Sequence, residues 1–105
     1  MQDKPVPDDL KRNLLNIISN HIDINRYQVF LFGSRAANKE HNRSDFDIGI
    51  EGPEEVPASV LATIEEEIEK LDTLYTIQIV DFKRVSPKFY QVAKQHNYFL
   101  TASPQ

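Results

Sequence analysis

The chain has 105 residues, 40% of them apolar and 27% charged, with a formal net charge of −4 and no cysteine. That length suits one core, so residues 1–105 are expected to form a single domain with 1–7 and 101–105 as loose tails. Absent cysteine excludes a disulfide scaffold and any thiolate zinc site, and the acidic balance disfavours direct nucleic-acid binding. No apolar run approaches the ~20 residues of a membrane span, and the polar start does not read as a signal peptide. A cytoplasmic protein without membrane contact is expected.

In chain order, Asp8 is placed to cap a helix over residues 9–20, with Leu10, Leu14, Ile17 and Ile18 as its apolar stripe. Residues 23–26 turn into a first strand over 27–32, an apolar run rich in aromatic and branched side chains. Residues 35–39 read as a short helix and 40–44 as a polar loop. A second strand covers 45–50, where Asp45 and Asp47 alternate with Phe46, Ile48 and Ile50. Gly49 inside it reads either as a bulge or as room for a nucleotide or partner. A helix over 57–72 carries Val60, Leu61, Ile64, Ile68 and Leu71 on one face, and its run of glutamates at 65, 66, 67 and 69 reads as a solvated face. A third strand covers 75–82. Ser86-Pro87 is a good start for a last helix over 87–96, with Phe89, Val92 and Ala93 as its apolar side. Tyr98, Phe99 and Leu100 add a short closing segment. The order implies an α+β (mixed α/β) fold, a small mixed sheet with helices mainly on one face. The other face would carry Asp45, Asp47 and Gln78 toward solvent.

The chemistry concentrates between the first two strands. Gly33-Ser34 is followed by ten residues and then Asp45-x-Asp47. Side chains at i and i+2 of a strand share a face, with Cα atoms about 6.5 Å apart. Asp45 and Asp47 therefore project together and repel unless a cation joins them. Mg²⁺ takes oxygen ligands, commonly one or two carboxylates plus substrate phosphates. Gly33 lacks a Cβ and lets backbone approach a phosphate, while Ser34 offers a hydroxyl. Arg35 and Arg43 flank this place and read equally as phosphate contacts or loop charges. Lys39 reads as a solvated loop charge. Ser44 is either a turn hydroxyl or a phosphate contact. The three histidines, at 21, 41 and 96, show no metal-ligand spacing.

This spaced set resembles the nucleotidyltransferase superfamily of DNA polymerase beta, and more narrowly the minimal nucleotidyltransferases (MNT), antitoxin partners of HEPN toxins. The resemblance covers residues 10–100 and implies a polymerase-beta-type nucleotidyltransferase fold. It implies an enzyme that binds ATP with Mg²⁺ and passes AMP to a tyrosine of a cognate HEPN toxin, forming a hetero-oligomer with it. Asp45 and Asp47 would be the catalytic metal ligands, with Gly33, Ser34, Arg35 and Ser44 at the nucleotide.

The pattern breaks at one place. Relatives carry a third carboxylate on the neighbouring strand, and here Gln78 falls on that position while Asp81 matches a second aspartate of the stretch. Gln78 and Asp81 are three apart, so a regular strand points them to opposite faces. An amide cannot take a proton at neutral pH. The alternative reading is therefore a weak or inactive nucleotide-binding module that neutralises its HEPN partner by occlusion.

Overall fold

The computed structural model describes residues 6–33 and 45–101. The helix expected at 35–39 and the loop expected at 40–44 lie outside them. The elements are α1 (Asp8–Ser19), β1 (Gln28–Phe32), β2 (Asp45–Glu51), α2 (Ala58–Glu69), β3 (Thr76–Asp81), α3 (Pro87–Ala93) and β4 (Asn97–Phe99). The four strands form one mixed α+β sheet in the order β3-β2-β1-β4. β1 pairs antiparallel with both β2 and β4, whereas β2 and β3 are parallel. A parallel pair needs a crossover, and α2 supplies it. No helix of the described residues is long and apolar enough to cross a membrane.

The strands alternate as their sequences require. Val29 and Leu31 of β1, Phe46, Ile48 and Ile50 of β2, and Ile79 of β3 point to one face and are buried. Leu10, Leu14 and Ile18 of α1 meet them there, with Ile64 and Ile68 of α2. These side chains recur at helical spacing, so each helix presents one apolar stripe. Val6, which the sequence placed in a loose leader, is buried in this core. At the other end the Thr101 hydroxyl accepts from the Val29 N–H at 3.1 Å, tying down part of the expected tail.

Two local expectations about the helices change. Asp8 is not the cap of α1; Pro7 holds that position without a side-chain cap bond, and Asp8 already lies inside the helix. Proline's fixed φ and extended ψ suffice to turn the chain into the helix. α3 does start as expected, with the Ser86 hydroxyl accepting from the Phe89 N–H at 3.1 Å. Its buried side is different, however. Tyr90, Ala93 and Lys94 face the sheet, while Phe89 and Val92 are exposed. Tyr90 and Lys94 hide apolar stems and direct polar ends to Glu51. The Tyr90 hydroxyl donates to Glu51 at 2.5 Å and the Lys94 ammonium at 3.0 Å, and the ammonium also lies 4.4 Å from the Phe30 ring centre.

The second sheet face is thus shared. α1 and α2 cover one face, but α3 lies on the face that carries the aspartates. Under it sit Phe30, Phe32 and Phe82, with ring centres of Phe30 and Phe82 4.9 Å apart. Gly49 explains how they fit. A Cβ there would stand 2.6 Å from ring carbons of both Phe30 and Phe82. The register runs through Gly49 on both sides, opposite Phe30 and Val80, without a bulge. Gly49 is neither a bulge nor room for a ligand; the two rings fill its space.

Adding that methyl group overpacks the cluster. Gly49→Ala is expected to lower unfolding free energy by about 1–3 kcal/mol in urea denaturation. An unchanged midpoint would contradict the ring-packing role.

Candidate functional site

The face that carries the aspartates is ordered in rows across the strands. One row runs Asn97, Phe32, Asp47, Gln78, each paired with the next. The next row toward α3 runs Phe99, Phe30, Gly49, Val80. Paired residues share a face, so Asp47 is flanked by an aromatic ring on one side and the Gln78 amide on the other. Asp45 lies two residues back on the same strand, opposite Thr76 of β3, and is exposed. Asp45, Asp47 and Gln78 do share the face opposite α1 and α2, as the alternation requires.

Gly33 completes this corner. It follows β1 directly and has φ +82°, a conformation that strains any residue with a Cβ. A Cβ built there would lie 3.0 Å from Oδ2 of Asp47. The carboxylate therefore rests close to the Gly33 backbone. Sequence spacing predicted the glycine and the aspartate separately. Their approach depends on the positive φ, which spacing does not reveal. Ser34, Arg35, Arg43 and Ser44 lie outside the described residues, as does Lys39.

The electrostatics follow from this packing. Asp47 is partly buried, and burial raises its pKa above the ordinary aspartate value; the charge of Asp45 raises it further. The pair is an arrangement of like charges that a cation would relieve. Two neighbouring carboxylates suit the oxygen preference of Mg²⁺, which commonly takes its further ligands from substrate phosphates. The described residues contain no group of three or more acidic or histidine side chains that could hold a metal by themselves. Any ion held here would depend on Asp45 and Asp47, with a substrate supplying further oxygens.

Asp81 takes no part in this corner. It points to the face that α1 and α2 cover, is only 3% exposed, and accepts from the Val56 N–H at 2.8 Å and the Lys83 N–H at 3.0 Å. Arg84 approaches it at 3.4 Å and donates to the Val56 carbonyl at 2.7 Å. Asp81 thus ties the loop after β2 to the end of β3. With no bulge to re-aim it, Asp81 stays on the face opposite Gln78. The glutamates of α2 are mainly solvated, as expected, although Glu67 pairs with His21 at 2.9 Å.

A family model described as polymerase beta, nucleotidyltransferase, matches residues 12–104. The chain belongs to this nucleotidyltransferase family. No curated protein sequence matches it. Solved structures share the fold at low identity. A chain from a toxin–antitoxin crystallised with AMP-PNP gives a TM-score of 0.69 at 18% identity, over 89% of this chain and 73% of that one. A chain from the tri-AMPylated HEPN toxin in complex with MNT antitoxin, from Shewanella oneidensis, gives 0.66 at 16% identity, over 90% and 71% of the two chains. A third, from a MntA–HpeT toxin–antitoxin variant with two aspartates changed to glutamate, gives 0.69 at 16%, over 89% and 73%. In this chain the nucleotidyltransferase fold places Gly33, Asp45 and Asp47 together and leaves Gln78 beside them.

Two outcomes follow from this geometry. Asp81→Ala leaves the Val56 N–H without its buried acceptor and is expected to lower stability by about 2–3 kcal/mol in urea denaturation. Stability within 0.5 kcal/mol of the parent, roughly, would contradict the tying role. For Asp47, a raised folded pKa means that the folded chain keeps this proton to higher pH than the unfolded chain. Its contribution to stability falls as pH rises from the ordinary aspartate range through the raised value. Asp47→Asn is therefore expected to gain stability relative to the parent between pH 4 and pH 7, roughly, as measured by paired denaturation curves. A gap that does not change with pH would contradict it.

Proposed function

We infer that this chain is the nucleotidyltransferase antitoxin of a HEPN toxin, transferring AMP from ATP to a tyrosine hydroxyl of that partner and thereby neutralising it. The observation that carries this reading is the Asp45–Asp47 pair on one sheet face, with the Asp47 carboxylate resting against Gly33. A pair that raises its own charge cost is poorly suited to a merely solvated surface and well suited to a metal–phosphate ligand. The likeness in fold to toxin–antitoxin structures, one with AMP-PNP and one with an AMPylated HEPN toxin, supports the choice of nucleotide and partner.

In this reading Asp45 and Asp47 would hold Mg²⁺. Bound Mg²⁺ would neutralise charge on the phosphates and on the departing pyrophosphate. Gly33 admits a phosphate against backbone, and Ser34, Arg35 and Ser44 take the remaining phosphate contacts. The partner's tyrosine oxygen attacks the α-phosphorus and forms the new P–O bond. The bond to the β-phosphate oxygen breaks, and pyrophosphate leaves. The hydroxyl proton cannot pass to Gln78, because an amide is not a base at neutral pH. It goes to solvent or to a base that the partner brings. A cytoplasmic setting, where ATP and Mg²⁺ are abundant, fits this reaction.

Gln78 also favours a second reading. It occupies the position beside Asp47, and the only nearby carboxylate on β3, Asp81, faces the other way and is engaged. A chain that binds ATP–Mg²⁺ but transfers poorly could still silence its partner by occlusion.

Intact-mass spectrometry of the cognate HEPN protein separates the two. After incubation with this chain, ATP and Mg²⁺, the partner is expected to gain one or more AMP units. The gain should vanish with Asp45→Asn/Asp47→Asn and accelerate with Gln78→Asp. A stable complex with no added mass would contradict transfer and favour occlusion.

A further inference from the structure

We propose that Phe89 is a stacking wall for the nucleobase, placed beside the carboxylate pair by the packing of α3 on Phe32. The proposal rests on the nucleotide reading of the Asp45–Asp47 corner and adds where the base lies and what holds it.

Phe32 is the β1 partner of Asp47, so its ring stands next to that carboxylate on the same face. The Phe89 ring centre lies 6.1 Å from that of Phe32, with planes at 78°, and 5.9 Å from that of Phe82. Paired strand residues are about 5 Å apart. Phe89 therefore packs on the ring that neighbours Asp47, one side chain removed from the carboxylate, on the order of 10 Å or less away. That is within the reach of an extended nucleoside triphosphate from its phosphates to its base. Phosphates at the Gly33–Asp47 corner would bring the base to this ring.

The exposure of Phe89 is the second observation. Phe30, Phe32 and Phe82 are all under 10% exposed, whereas Phe89 is 41% exposed. It is held by edge contacts from the buried rings yet offers open aromatic surface. Tyr75, also exposed, packs on Phe46 and so belongs to the opposite face. A base laid on Phe89 would cover apolar surface that the fold leaves wet. Stacking accepts any base and gives affinity without hydrogen bonds, and the larger purines gain most from it.

The test is calorimetric titration of the chain with Mg²⁺ and a non-hydrolysable ATP analogue, and separately with inorganic tripolyphosphate, which has no base. Phe89→Ala and Phe89→Leu are expected to weaken the ATP analogue about tenfold and leave tripolyphosphate unchanged. Leucine preserves apolar packing on Phe32 and Phe82, so its effect separates stacking from loss of structure. Phe89→Trp should bind the analogue at least as tightly as the parent. Equal weakening of both ligands, or no weakening of either, would overturn the stacking role while the nucleotide site stands. Failure of the parent chain to bind either ligand would overturn the nucleotide reading, and the proposal with it.

Discussion

The arrangement depends on the two-residue alternation of β2. Phe46, Ile48 and Ile50 are sealed in the core between the sheet and the two helices α1 and α2. Their burial fixes the register, because a slip of one residue would send all three into solvent and drive Asp45 and Asp47 into the core. β2 is also central, held antiparallel to β1 on one side and parallel to β3 on the other. The carboxylates are therefore displayed because the hydrophobic core leaves their strand no other position. Their mutual repulsion is imposed by burial elsewhere in the same strand.

Along that displayed face, the odd residues of β2 divide two functions. At one end stand the carboxyl groups of Asp45 and Asp47. At the other, Gly49 yields its side-chain space to Phe30 and Phe82, and Glu51 draws in Tyr90 and Lys94. α3 can then sit low over the aromatic end. The Tyr90 phenol is pushed above its ordinary pKa by its hydrogen bond to Glu51, with burial and the Glu51 charge adding to it. The Tyr90 phenol thus stays neutral at neutral pH. One strand builds both the acidic corner and the aromatic platform on which α3 rests.

Much of this was legible in the sequence because the signals were local. Apolar spacing located α1 and α2, alternation located β2, and Ser86-Pro87 located the start of α3. The odd separation of Gln78 and Asp81 was enough to send them to opposite faces. What escaped was set by tertiary contact. Gly49 could not be read because the rings that need its space lie on β1 and just beyond β3. α3 turned differently because Tyr90 and Lys94 look polar in sequence, while their stems pack and their ends meet a glutamate 39 residues away in one case and 43 in the other. The closeness of Gly33 to Asp47 required a backbone conformation. The burial of Val6 required a core whose extent one end of the chain does not announce.

The central claim is that the Gly33–Asp47 corner, and not the glutamate face of α2 or the Glu51 cluster, receives the metal–nucleotide ligand. Paramagnetic broadening by Mn²⁺ with a non-hydrolysable ATP analogue tests it most directly. Amide signals of Gly33, Asp45, Phe46, Asp47 and Gln78 should broaden first, while those of Glu51, Glu65 and Glu69 persist. Broadening centred on Glu51 or on α2, or none that depends on the nucleotide, would contradict the account.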